Sequence, residues 1–135
     1  SVYANGNDAP ANTMGLESEG DAAVLPPGET HVLCNTNGVA DLLARCDQRA
    51  GGLSFNGDDA VSLVCDGAVV DVIGQIGMDP GRAWSNGGVT TQNATIRRGC
   101  AFRVGDADGG DAFDPSVEWL AFPQDTFADL GAHCP

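Results

Sequence analysis

An all-β sandwich carrying one short surface α-helix is the fold class this sequence predicts, on three observations. Two short apolar runs, Ala60 to Cys65 and Ala68 to Ile73, are separated only by Asp66-Gly67, the pair best suited to the positive φ angles of a type I′ turn. Tight turns at Asn56-Gly57 upstream and Asp79-Pro80-Gly81 downstream repeat the strand and turn spacing of a sandwich. Only one stretch, Asn37 to Gly51, carries convincing helical periodicity.

Each element follows in order. Val2-Tyr3 reads as the end of a strand, and Asn5 to Pro10 as turn chemistry. Met14, Leu16 and Glu17 predict a short strand before a Gly20-Asp21 turn, and Pro26-Pro27-Gly28 leads into a strand over Glu29 to Cys34. In the helix, Val39, Leu42, Leu43 and Cys46 form one buried stripe, Asn37 caps the start, and Gly51 or Gly52 ends it. Asp41 and Arg49 suit the helix dipole, and Asp41 with Arg45 is an i, i+4 ion pair.

Within the hairpin, Val61, Leu63 and Cys65 share one face and Ser62 and Val64 the other; apolar residues on both faces predict a central, largely buried hairpin. Beyond it, Trp84 supplies a core or rim contact and Thr90 to Arg98 a strand. Residues 106 to 114 form a Gly/Asp loop, and Val117 to Phe122, with Trp119, is the last apolar segment before a closing strand or turn.

The length of 135 residues predicts one domain with a single core. A formal charge of -13, with every basic residue an arginine, disfavours binding to phosphate backbones and anionic membranes. No apolar run is long enough to span a bilayer, and the absence of a basic-plus-apolar leader leads to the expectation of a processed or truncated chain. Five cysteines without any CxxC fit an oxidising, extracellular setting and argue against structural zinc. Cys34 and Cys46 are placed to staple the helix to the preceding strand, and Cys100 and Cys134 form the second expected pair. Cys65, beside the hairpin tip, is then the odd thiol, free or bonded between chains.

Several residues invite functional readings, each beside a plainer one. Asp106, Asp108, Asp111 and Asp114 are closely spaced oxygen donors that could take calcium, yet they lack the EF-hand pattern, and a solvated acidic loop is the favoured reading. Asp58-Asp59 is read as a turn acceptor pair ahead of a cation site. Arg97, Arg98 and Arg103 face either an acidic neighbour or acidity on the same molecule, the two readings weighing equally. His31 and His133 lie near no recognisable nucleophile motif, which argues against catalysis. Trp84 and Trp119 are assigned to packing ahead of sugar stacking, and Asn93-Ala94-Thr95 is a formal glycosylation sequon, informative where the source glycosylates.

The order of the motifs adds a further expectation. Ser54 to Val61 (SFNGDDAV), Asp71 to Gly77 (DVIGQIG), Asp79-Pro80-Gly81 followed by Trp84, Asn93 to Arg98 (NATIRR), Asp114 to Trp119 (DPSVEW) and Phe122 to His133 (FPQDTFADLGAH) occur in sequence. Together they resemble the lamin-tail domain of secreted prokaryotic proteins, from about Tyr3 to His133. That resemblance implies an immunoglobulin-like β-sandwich, in a family of mostly non-catalytic modules attached to secreted nucleases, phosphatases or surface proteins. The family's opening strands are absent before Val2-Tyr3, so the resemblance implies an unpaired edge there, filled by a second copy or another chain. The leading expectation is a non-enzymatic extracellular structural or self-assembly module, assembling into a filament or surface layer with Val2, Tyr3, Arg97, Arg98 and Arg103 at its interface. A binding or targeting module of a secreted nuclease or phosphatase, recognising a surface glycan or protein, is the alternative. An enzyme using the aspartate loop and a metal is a third reading.

Overall fold

The structure, a computed structural model, describes residues 1–18, 21–22, 24–132 and 134. Its elements are β1 (Val2–Tyr3), β2 (Glu17–Ser18), β3 (Asp21–Ala22), β4 (Leu33–Asn35), α1 (Ala40–Leu43), β5 (Gln48–Ala50), β6 (Ala60–Cys65) and β7 (Ala68–Ile73). They continue through β8 (Ser85–Asn86), β9 (Val89–Thr90), β10 (Ala94–Arg98), α2 (Pro115–Glu118) and β11 (Trp119–Pro123). Strand accounts for 28% and helix for 6%, so the chain is all-β. Where length predicts one core, the residues gather into two compact units, Ser1–Asn12 with Phe55–Thr126, and Thr13–Ser54 with Phe127–Pro135.

The first unit is organised by the expected hairpin. Asp66 and Gly67 take φ of 50° and 80°, which only a tight turn with two left-handed residues requires, and β6 pairs antiparallel with β7 across it. β1 adds to the other side of β6 through Val2↔Val61 and Tyr3↔Ala60, giving the sheet order β1-β6-β7. A bulge between Leu63 and Val64 shifts the register from Leu63↔Asp71 to Val64↔Val69. That shift divides the hairpin. Its base is buried through Ala60, Ser62 and Val72, whereas Leu63, Val64, Cys65 and Val70 are exposed. The largely buried hairpin of the sequence reading is therefore buried only at its base, on the face of Ser62 and not that of Leu63.

Tyr3, Ala60 and Trp84 form the core of this unit, with Ile76 and Phe113 packed against it. Trp84 meets Phe113 edge-on at 5.8 Å. Gly74 permits this packing: its φ is +88°, and a Cβ there would stand 2.9 Å from the Trp84 ring. β8 and β9 make a second hairpin around Gly87-Gly88, and β10 pairs antiparallel with β11 from Ala94↔Pro123 to Arg98↔Trp119.

The second unit departs most from expectation. The helix predicted over Asn37 to Gly51 is only Ala40–Leu43; it buries no residue, has no side-chain cap, and leaves Val39 59% exposed. After it the chain returns as β5, parallel to β4 in the register Leu33↔Gln48, Cys34↔Arg49 and Asn35↔Ala50. A parallel return needs a connection of roughly a dozen residues, and residues 36–47 are taken up in making it. Three restraints hold the return: the Cys34–Cys46 disulfide, with Cα atoms 5.9 Å apart, the Asp47 and Gln48 N–H groups donating to the Val32 carbonyl, and the Asp47 carboxylate accepting Val32 N–H at 2.7 Å. Together they outweigh helix propagation beyond Leu43. The Asp41–Arg45 pair does form, at 3.4 Å, across exposed side chains. β2 and β3 pair antiparallel; Gly20 of the turn expected between them lies outside the described residues.

Candidate functional site

A polar constellation lies in the first unit, where β7, β10, α2 and β11 deliver Asp71, Arg98, Glu118 and Trp119 to one place. Arg98 donates from Nη1 to Asp71 Oδ2 at 2.6 Å and from Nη2 to Oδ1 at 2.7 Å, the parallel two-bond fork that guanidinium geometry allows. Its Nε donates to Glu118 Oε2 at 3.0 Å, and its Cζ lies 4.7 Å from the Trp119 ring centre. The Asp106 N–H donates to Asp71 Oδ1 at 2.9 Å, drawing the next loop onto the same carboxylate.

Burial pushes the Asp71 carboxyl up, but the Arg98 hydrogen bond, the Asp106 N–H, the Arg98 charge and the Val72 N–H together hold it below its ordinary value. Arg98 is correspondingly held more firmly protonated, chiefly by its hydrogen bond to Asp71. Both groups stay charged across ordinary pH, which suits a clamp and not a proton carrier. Of the arginines expected at an interface, Arg98 is thus engaged within its own unit. Arg97 stacks on Phe122 at 4.3 Å, and Arg103 is exposed.

The proposed calcium set is not assembled. Asp106 Oδ1 accepts Asp108 N–H, and Asp108 Oδ1 accepts Gly110 N–H, so these carboxylates shape their own loop. Asp114 turns elsewhere: Oδ1 accepts the N–H and hydroxyl of Ser116, capping α2, while Oδ2 accepts Asn86 Nδ2–H at 2.7 Å. Those Ser116 bonds, with the Asn86 bond, lower the Asp114 carboxyl; the Asp106 charge, with smaller contributions from burial and the Asp108 charge, raises that of Asp111. Among the described residues no group of three or more His, Cys, Asp or Glu side chains is arranged to hold a metal. Asp59 acts as the turn acceptor expected of it, taking Asn5 N–H at 2.9 Å and Asn56 N–H at 3.3 Å, while Asp58 is buried.

Cys34 and Cys46 are bonded as expected, and Cys100 and Cys134, the second pair, are disulfide-bonded as well. Cys65 is the free, exposed thiol. It stands at the end of β6 near Leu63 (47% exposed), Val64 (43%) and Val70 (39%), so the hairpin tip exposes apolar side chains beside a sulfhydryl. Neither the bulge nor the resulting exposure was readable from residue alternation alone.

The remaining expected positions are scattered. Val2 and Tyr3, assigned to an interface, are instead buried in the β1-β6-β7 sheet, where Val2 also exchanges hydrogen bonds with Ala11 and Asn12. The unpaired edge expected there is occupied by the chain itself. Trp84 is buried in the core, and Trp119 is half-buried beneath Arg98. His31 Nε2 lies 3.1 Å from Gln48 Oε1, and His133 lies outside the described residues. Asn93, of the sequon, is exposed with φ 51°. Among the described residues no helix is long and apolar enough to cross a membrane. No protein-family model matches the chain, and no curated protein or solved structure matches it.

Proposed function

We infer that this chain is a non-enzymatic extracellular module of the lamin-tail type, an immunoglobulin-like sandwich in its first unit, that associates with a second copy through the β6–β7 hairpin tip. The observation that carries the reading is the tip: a free Cys65 beside exposed apolar side chains, in a chain whose other cysteines are oxidised. Oxidation of those four supports a disulfide-permissive compartment outside the cell. A hairpin tip meeting its own copy makes a two-fold, self-complementary contact, which closes as a dimer. Strand addition at Val2-Tyr3, which would leave an open filament, has less support, because β1 already has partners on both sides.

A structural role is further supported by where the carboxylates point. Asp59, Asp71, Asp79 and Asp114 each accept a backbone N–H and hold a turn or cap, and in that role they are not aimed at a substrate. The test is size under non-reducing and reducing conditions, by light scattering and gel electrophoresis, on the native chain and Cys65→Ser. A thiol-reversible dimer lost in Cys65→Ser is expected. A native chain that stays monomeric at high concentration after air oxidation overturns the reading and leaves the binding module of a secreted hydrolase as the better one.

A further inference from the structure

Asn86 ends β8, and Gly87 and Gly88 turn the chain into β9 with φ of 56° and 85°. Its side-chain amide is fixed at both ends. Oδ1 accepts the N–H of Gly87 at 2.9 Å, and Nδ2 donates to Asp114 Oδ2 at 2.7 Å. The first contact brings the Asn86 Cγ, bonded to that oxygen, against the backbone nitrogen that follows it. The second prevents the amide from rotating away. Gly87 has no side chain to shield its nitrogen, and both residues are exposed to water.

We propose that Asn86-Gly87 is a spontaneous deamidation site, and that its conversion uncouples the β8–β9 turn from the cap of α2. Hydroxide removes the Gly87 amide proton, and the nitrogen attacks Asn86 Cγ. The Cγ–Nδ2 bond then breaks, and ammonia leaves with a proton drawn from water. Water opens the resulting succinimide at either carbonyl, giving aspartate or isoaspartate; the net change is one water consumed and one ammonia released. The product carboxylate faces Asp114 without the donor that Nδ2 provided, so two like charges replace a hydrogen bond. Asp114 also caps α2 through Ser116, so the disturbance reaches that helix.

Three other Asn-Gly pairs serve as internal controls: Asn5-Gly6, Asn37-Gly38 and Asn56-Gly57. Gly57 is buried and Gly6 and Gly38 are half-buried where Gly87 is exposed, and among the described residues none of the three asparagines accepts the N–H of its following glycine in a hydrogen bond.

The experiment is site-resolved peptide mapping by mass spectrometry of the native chain during incubation at mildly alkaline pH. Severalfold faster conversion at Asn86 than at Asn5, Asn37 or Asn56 is expected; equal or slower conversion overturns the proposal. The consequence is read separately in Asn86→Asp, expected to melt below the native chain, and in Asn86→Asp with Asp114→Asn, which exchanges donor and acceptor and restores the melting temperature. An Asn86→Asp chain as stable as the native one overturns the coupling to α2. Should that variant not fold, comparing the unfolding of converted and unconverted native chains decides the same point.

Discussion

Replacing Arg98 by methionine keeps the apolar stem of the side chain and removes the guanidinium and its charge, leaving Asp71 half-buried with the Asp106 and Val72 N–H groups for company. Breaking a buried ion pair by deleting one partner costs about 3–5 kcal/mol, mostly as the penalty for the stranded charge. The two side chains are 19% and 27% exposed, so solvent screening reduces that to about 2–3 kcal/mol. Losing the guanidinium over Trp119 adds about 0.5–1 kcal/mol. The total is about 3 kcal/mol. With the usual unfolding entropy for 135 residues, this lowers Tm by about 10 °C.

The assay is thermal and urea unfolding across pH, followed by the near-ultraviolet signal of the tryptophans. Folding lowers the Asp71 pKa below its ordinary 3.8, so the stability it contributes is fully present above that value and is lost as pH falls through the lower folded-state value. In Arg98→Met the guanidinium that lowers this carboxyl is gone while the burial that raises it remains, so acid costs the variant less than it costs the native chain. The gap between them therefore narrows as the pH drops below 3.8. Adding Asp71→Leu recovers part of the loss at neutral pH, because it removes the stranded charge. A single variant within about 0.5 kcal/mol of the native chain, the range of an ordinary surface substitution, refutes the clamp. So does a gap that stays constant down the pH range.

Gly74→Ala meets the Trp84 ring at 2.9 Å with a φ of +88°, so a loss of about 2 kcal/mol or more is expected, with a changed Trp84 fluorescence; an unchanged spectrum and midpoint would show that the core tolerates the methyl. Replacing Cys34 and Cys46 together by serine opens a link spanning 12 residues and lowers stability by about 3 kcal/mol, measured by urea unfolding against the native chain. Asp114→Ala removes the acceptor that caps α2 and costs about 1 kcal/mol, whereas Asp114→Asn retains most of the cap; thermal unfolding of the two variants separates these outcomes.

The hairpin over Ala60 to Ile73 was legible because its turn is local: Asp66 and Gly67 specify the geometry without reference to anything distant. Which half of it is buried was not legible, since the bulge at Leu63/Val64 breaks the alternation on which the reading depended. The short helix failed for a different reason. Val39, Leu42, Leu43 and Cys46 fit a helical stripe, but Cys46 is held by Cys34 and Gln48 by the Val32 carbonyl, and helical periodicity contains no information about either partner. The β8–β9 hairpin went unread although Asn86-Gly87-Gly88 is turn chemistry, because its strands are two residues each, too short to show alternation. The clamp was beyond reach altogether: Asp71 and Arg98 lie 27 residues apart, and only the fold makes them neighbours.

The acidity of the chain has two separate consequences. Locally, Asp47, Asp59, Asp71, Asp79, Asp106, Asp108 and Asp114 each accept at least one backbone N–H, so aspartate supplies the turns and caps that very short strands cannot supply for themselves. This local use gives many of the short acidic side chains beside glycine a role in shaping turns. Hydrogen bonding to N–H groups leaves their charge in place, however, and a net -13 repels any second copy brought near at random. The dimer proposed above therefore requires a contact where charge is sparse. The tip from Leu63 to Ala68 carries only Asp66, and it places apolar side chains and the Cys65 thiol at the farthest reach of the hairpin, where a small contact sealed by one covalent bond can hold two repelling chains together.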